Sequence, residues 1–401
     1  MTGSLPDAEW RHRPRLPDLL EALGEGNARF VGGAVRDTLL GHPVADVDIA
    51  TVHQPNEVLR RLQATSIKAV PTGIDHGTVT AILEGWPVEI TTLRQDVSTD
   101  GRHATVAYTS DWQKDAARRD FTINALFADP ASGEITDYFG GLEDLRAGVV
   151  RFIGDARARI AEDHLRILRY FRFFARFGKG EPDSEAYEAC VANANSLMAL
   201  SRERIADELL KLLALDDPTT TIRLMVEGGI LLPVLPEIDG NGVSRLASLI
   251  AREKQAHFAP AALRRLCALL PPDPTVGDDV AARLKLSNKA RKRIAATLSL
   301  PPPYERPEQL AYWIGMDSAI DILLLDERMS SAALVELKHS SVPPFPLTGG
   351  ALIAQGLPPG PDVSRALKNV EAAWVAAGFP EGEELEALTS QIVWKFQRLR
   401  Q

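Results

Sequence analysis

Two things are scarce in this 401-residue chain: cysteine, and long uninterrupted apolar sequence. Its two cysteines, Cys190 and Cys267, are too few for a disulfide framework or a cysteine-rich zinc site, and they point to a reducing cytoplasm. The N-terminal stretch is polar and charged (Glu9, Arg11, Arg13, Arg15), with no apolar run suited to a signal peptide or a membrane span. No internal repeat or low-complexity tract occurs. The C-terminal half lacks a His-Asp pair placed like that of a metal phosphohydrolase, which argues against a second, hydrolytic activity. Positive charge is in deficit as well. The net charge of −9 argues weakly against a nucleic-acid partner. What remains is ordinary for a soluble globular protein, 45% hydrophobic and 25% charged, and long enough for two or three domains.

The most informative stretch is 27–51. A short apolar strand (Phe30, Val31) runs into Gly32-Gly33, and a helix carrying Arg36 and Asp37 follows at once. Gly41 and Pro43 stop that helix, and a second strand presents Asp46 and Asp48 two residues apart. Strand side chains alternate, so the two carboxylates share one face while Val47 and Ile49 pack on the other. A lone Asp-x-Asp is usually the wet face of a strand, and a lone Gly-Gly is usually a turn. In this order they suit a Mg2+-dependent phosphoryl site. The glycines let backbone N–H groups approach a triphosphate, and the carboxylates hold a hard cation.

Residues 1–16 read as a loose leader, 17–24 as a short helix and 54–63 as a helix with Pro55 in its first turn. Two β-rich runs, 77–83 and 86–93, are hinged at Glu84-Gly85 in hairpin fashion. Glu89 in the second run reads alone as an exposed strand residue; beside two aspartates on a neighbouring strand it becomes a third candidate carboxylate. The polar stretch 94–108, with Gly101 near its middle, suits a mobile loop that closes on a nucleotide. In 115–126, Phe121, Ile123 and Leu126 suit burial, which leaves Arg118, Arg119, Asp120 and Asn124 as a polar cluster. Guanidinium groups clamp phosphate and ribose oxygens, although such a triplet is also a common surface salt-bridge cluster.

From Asp155 onward the strand signal disappears and helices dominate. Within 151–179, eight basic side chains face three acidic ones, a local surface able to seat phosphates despite the overall charge. Read as one helix, 162–177 places Arg166, Arg169, Arg172 and Arg176 on one side, with Ile167, Leu168, Phe171 and Phe174 opposite as core. Asp163 precedes Arg166 at i,i+3, so the two can meet and match a base edge. Four stacked arginines repel one another unless anions lie between them. Residues 183–215 give two further helices, the second beginning at Ser201, and prolines repeatedly break the helices of 216–340. Lys289-Ala-Arg-Lys-Arg293 is either an RNA-backbone contact or a solvated helix end. Pro358-Pro-Gly-Pro361 leads into a helix through Trp374.

Taken together these motifs resemble the class II tRNA nucleotidyltransferase (CCA-adding) and bacterial poly(A) polymerase family. Gly32-Gly33-Ala-Val-Arg36-Asp37 with Asp46-Val-Asp48 is similar to its metal and triphosphate motif. Arg118-Arg119-Asp120 is similar to its ribose motif, and Glu162-Asp163-His-Leu-Arg166 to its base-selecting motif. Arg169 and Arg172 match further nucleotide-binding arginines, and Ser201-Arg-Glu-Arg-Ile205 the motif supporting the neck. The resemblance implies an α+β chain: a small mixed-sheet head over 1–154, a helical neck over 155–215 and a helical body and tail over 216–401 that bind tRNA. It also implies Mg2+-dependent transfer from CTP and ATP to a tRNA 3′ end, with recognition of the acceptor arm and with neither DNA nor a membrane as partner. Asp46 and Asp48 would hold the metal, assisted by Glu89. Gly32, Gly33, Arg36, Arg118, Arg119, Asp120 and Asn124 would bind the triphosphate and sugar, and Asp163 with Arg166 would choose the base. The 94–108 segment favours full CCA addition over CC-only addition; a poly(A) polymerase, a CC- or A-adding enzyme on the same scaffold, and non-catalytic RNA binding are the alternatives.

Overall fold

The computed structural model describes residues 3–99, 104–327, 329 and 331–398. They form two compact units, Met1–Leu212 with Leu224–Val234, and Leu213–Arg223 with Leu235–Gln401. The head segment expected from the sequence and the neck segment up to Leu212 fall in the first unit, and the last residues of the neck, 213–215, fall in the second.

The first unit opens with α1 (Leu16–Leu23), β1 (Ala28–Val31), α2 (Gly33–Leu39), β2 (Val47–Thr51) and α3 (Pro55–Ala64). Then come β3 (Lys68–Gly73), β4 (Thr78–Leu83), β5 (Trp86–Thr92), β6 (Arg94–Thr99), β7 (Ala104–Tyr108), α4 (Trp112–Ala117), β8 (Phe127–Ala128), β9 (Ile135–Thr136) and α5 (Gly141–Ala147). Seven strands make one mixed sheet in the order β3-β4-β5-β2-β1-β8-β9. All its pairings are antiparallel except β2 with β5, which run parallel and in register from Val47↔Val88 to Thr51↔Thr92. The expected hairpin at Glu84-Gly85 joins β4 to β5. Val31, Ala50, Leu93, Ala116, Ala125, Phe127 and Ile153 form a buried cluster on which the site elements rest.

Two expectations need correction here. Residues 3–16 are not a loose leader. Leu5 and Trp10 are buried, Trp10 stacks edge-on against Phe30 at 4.8 Å, and its Nε1 donates to Thr38 Oγ1 at 2.9 Å. Two large apolar side chains outweigh the polar residues around them. The 94–108 stretch is not simply a loop: β6 and β7 pair antiparallel from Arg94↔Tyr108 to Thr99↔Ala104. Its polarity hid the β-branched residues Val97, Thr99, Thr105 and Val106, which favour a ribbon. Gly101, assigned to the loop, lies outside the described residues.

Helices complete the first unit: α6 (Ala156–Glu162), α7 (Arg166–Phe177), α8 (Ser184–Ala192), α9 (Arg202–Leu213) and α10 (Thr219–Glu227). The last two run across the boundary between the units. The second unit adds α11 (Gly240–Gln255), α12 (Ala262–Leu269), α13 (Pro274–Arg283), α14 (Asn288–Leu298), α15 (Pro307–Ile314), α16 (Met316–Leu325), α17 (Ser331–His339), α18 (Gly349–Ala354), α19 (Pro361–Ala376) and α20 (Gly382–Arg398). Its interior holds a buried ionic network in which Glu253 takes Arg264 at 2.6 Å and Arg265 at 2.8 Å. No helix among the described residues is long and apolar enough to cross a membrane.

Candidate active site

The site is built on the parallel pair β2/β5. Register sets Asp48 beside Glu89, two carboxylates on adjacent strands, while Val47 and Ile49 point the other way into the core at 1% and 0% exposure. Asp46 lies just ahead of β2 and is exposed, as is Glu89; Asp48 is half-buried. Burial, then the Glu89 charge, pushes the Asp48 carboxyl up to about 6; Arg119 opposes this and Asp46 adds to it. Among the described residues no group of three or more His, Cys, Asp or Glu side chains is gathered as a ligand cage. What the paired strands offer is an open acidic cluster whose like charge only Arg119 offsets, and only in part.

Beside it lies the glycine turn. Gly32, at φ 66°, caps the seven-residue α2, and no side chain caps that helix. A Cβ on Gly32 would meet Arg119 Nη1 at 3.6 Å, so the guanidinium stands over the bare backbone. Arg119 and Arg118 are both fixed by Asp115, at 3.0 and 2.9 Å, and Asp115 also accepts the Arg94 backbone N–H that starts β6. Asp115 is 1% exposed; burial opposes its charge, but Arg119 and Arg118 hold its carboxyl below the usual range. One buried carboxylate thus aims two arginines and anchors a ribbon. Its position, three and four residues ahead of them on α4, was the sequence signal for it.

Arg36 is deeper than its role in the sequence reading suggests. It is 5% exposed, donates to Asp37 Oδ1 at 2.8 Å and to Asn124 Oδ1, and lies 4.3 Å over the Phe177 ring. Asn124 donates in turn to Asp120 Oδ1 at 3.0 Å, and Arg169 donates to Asp120 Oδ2 at 2.9 Å. Against full desolvation, Arg169 and Asn124 keep the Asp120 carboxyl below its ordinary value. Arg36, Asp120, Asn124 and Arg169 are therefore one network tying α2 and the 120–124 turn to α7.

The anions between the arginines of α7 are the chain's own carboxylates. Arg172 donates to Glu208 at 2.6 Å, Arg169 reaches the same carboxylate at 3.7 Å, and Arg176 donates to Asp37 at 3.1 Å. Arg166 pairs with Glu162, which also takes Arg159 at 2.7 Å. Ile167, Leu168, Phe171 and Phe174 are buried as the periodicity requires. Asp37 was read only as part of the glycine-turn motif and not as the partner of Arg176, and Glu208 went unrecognised in sequence. Glu208 lies 36 residues from Arg172, and no local pattern joins them.

The side chains of Asp163 and Arg166 do not pair with each other. The helix breaks between Glu162 and Arg166, with Asp163 extended at φ −153°, so the two are joined only by the Arg166 backbone N–H donating to the Asp163 carbonyl at 3.0 Å. Asp163 accepts the Leu165 backbone N–H at 3.1 Å and Arg204 at 2.7 Å. Arg204, on α9, is a second residue that local sequence did not flag.

Residues 28–151 match the family described as Poly A polymerase head domain, and 181–241 match "Probable RNA and SrmB- binding site of polymerase A". Head, glycine turn and paired carboxylates together define a nucleotidyltransferase. The chain is 37% identical to the mitochondrial CCA tRNA nucleotidyltransferase 1 of Mus musculus over 91% of its own length and 87% of the relative's. It is 33% identical to the CCA-adding enzyme of Leuconostoc mesenteroides, over 87% of this chain and 88% of that one. The crystal structure of the Bacillus stearothermophilus CCA-adding enzyme in complex with CTP superposes with a TM-score of 0.77 at 28% identity, covering 95% of this chain and 98% of the other. The chain belongs to the CCA-adding tRNA nucleotidyltransferase family.

Proposed function

We propose that the chain completes tRNA 3′ ends, adding C, C and A from CTP and ATP without a nucleic-acid template. The observation that carries this is the in-register pairing of Asp48 with Glu89, next to Asp46 and the Gly32 turn. In the reaction the tRNA 3′-hydroxyl oxygen bonds to the α-phosphorus of the incoming nucleotide, the α–β bridging bond breaks, and pyrophosphate leaves.

Asp46 and Asp48 would hold Mg2+. Their fit is chemical: two hard oxygen donors in a cluster whose like charge only Arg119 partly offsets, for a cation that ordinarily takes one or two carboxylates and completes its shell with substrate phosphates and water. When bound, Mg2+ supplies neutralisation of phosphate charge and favours the ionised hydroxyl. Glu89, one strand over, assists at the metal or the hydroxyl. Gly33 leaves its backbone N–H open to phosphate oxygens, whereas the Gly32 N–H is held by the Leu126 carbonyl at 3.3 Å. Arg119, aimed by Asp115, and Arg118 take triphosphate and sugar, while Arg36, Asn124, Asp120, Arg169 and Arg172 support that surface from beneath. Asp163 and Arg166 select the base, each leaving its present carboxylate or guanidinium partner as nucleotide binds. Most of the rate gain is positioning and electrostatics. The second unit is the tRNA-binding body and tail. The two free, buried cysteines suit the cytoplasmic setting read from the sequence.

The test is incubation with Mg2+ and tRNA trimmed of its last three nucleotides, with CTP, ATP or both. Two additions from CTP followed by one from ATP are expected. A long A tail would make the chain a poly(A) polymerase. Stopping after two C residues, or adding A only to ends already carrying CC, would mark a split-function enzyme. No incorporation would leave RNA binding without catalysis.

A further inference from the structure

The basic knot on α14 has two kinds of cation. Arg291 donates to Asp278 at 2.9 Å, and Arg293 donates to Asp321 at 2.6 Å and Asp317 at 3.2 Å. Lys289 and Lys292 are exposed and have no such partner among the described residues. They stand at i,i+3, one above the other on a single helix face, where like charges oppose each other. Both line a cleft of about 480 Å³ with Arg293, Gly315, Asp317 and Ser318.

The far wall of this cleft is the start of α16. Gly315, at φ 85°, is its N-cap and supplies no side-chain acceptor, so the first N–H groups of this ten-residue helix are left open. An independent feature sits among them. Ser318 is 6% exposed, it lines the cleft, and its hydroxyl has no hydrogen-bond partner among the described residues. Two free ammonium groups, open helix N–H groups and an unengaged hydroxyl are the donor set that a phosphate oxygen completes. Asp317 is the one opposing charge, and it is turned toward Arg293.

We propose that this cleft seats a backbone phosphate of the RNA substrate, an assignment that rests on the tRNA-directed reading above. The donors suit a phosphodiester rather than a small free anion, because the lysines stand on an open helix face instead of enclosing a cage. They read charge, not sequence, so the site contributes grip and register.

The test measures binding of the full chain to 3′-trimmed tRNA between about 50 and 200 mM salt. K289Q/K292Q is expected to bind about tenfold more weakly at the low end, with the slope of log affinity against log salt reduced by about 1 to 2. D317N is expected to bind two- to threefold more tightly, an effect of opposite sign that misfolding cannot mimic. Affinity for CTP without RNA should stay the same in both variants. Coincident salt slopes for wild type and K289Q/K292Q would overturn the proposal. So would stabilisation of the wild type, but not the double variant, by inorganic phosphate with tRNA binding unchanged, which would make this a free-anion site. If the wild type fails to extend trimmed tRNA while the slopes still differ, the transfer reading falls and the RNA site stands.

Discussion

The acidic edge of β2/β5 and the basic face of α7 are both runs of like charge, and the fold treats them in opposite ways. On α7, all four arginines find carboxylates: Glu162, Asp120, Glu208 and Asp37. On the sheet edge, Asp46, Asp48 and Glu89 push against each other, and only Arg119 moderates the repulsion. Matched charge is architecture, since each buried arginine needs a partner to offset its desolvation. Unmatched charge costs stability and persists where a ligand supplies the missing sign.

The sharpest way to break that contrast is at the edge. Asp46→Ala or Asp48→Ala should lower nucleotide incorporation by about a thousandfold or more, on the order of 4 kcal/mol of barrier. Near-normal turnover in either variant would remove the metal assignment. On the matched side, Glu208→Ala strands Arg172 and weakens the hold on Arg169; the expected loss is about 3 kcal/mol of stability, read from denaturant midpoints. A change no larger than that of a surface alanine would show the network to be ornamental.

The edge should also reveal its cost. Asp48 titrates near 6 in the folded chain, against an ordinary carboxyl value of 3.8. A raised carboxyl destabilises the fold once ionised, so the penalty is present above pH 6, fades as pH falls and is gone below about pH 4. With metal chelated, Asp48→Asn should therefore stabilise the chain by about 2 kcal/mol at pH 7.5, after discounting for partial solvation, and by nothing at pH 4. Melting curves at the two pH values decide it; a destabilised variant at pH 7.5 would mean that Asp48 is matched after all. The smallest effect is expected at Arg204→Gln. Its pair with Asp163 is half exposed on both sides, and its loss should cost under about 1 kcal/mol. A larger loss of thermal stability would move Arg204 into the same class as Glu208.

Much of the site was legible before any coordinates. Alternation along one strand placed Asp48 apart from Val47 and Ile49, and helical periodicity separated the arginines of α7 from its phenylalanines. The hairpin at Glu84-Gly85 followed from turn chemistry. These are local rules, with periods of two or 3.6 residues and reach no longer than a turn. The leader and the ribbon were misjudged because composition stood in for contact. Trp10 finds Phe30 twenty residues on, and β6 finds β7 through backbone groups that composition does not report.

The sequence by itself determined the class of the protein, the face of Asp48 opposite Val47 and Ile49, and the apolar stripe of α7, because each is written in spacing along a few residues. Only the tertiary structure decided which charges are spent and which are free. Glu208 neutralises an arginine 36 positions away, Asp37 one 139 positions away, and Glu89 remains unneutralised beside Asp48. Charge acts through space over a few ångströms, and the chain brings those partners together only by folding.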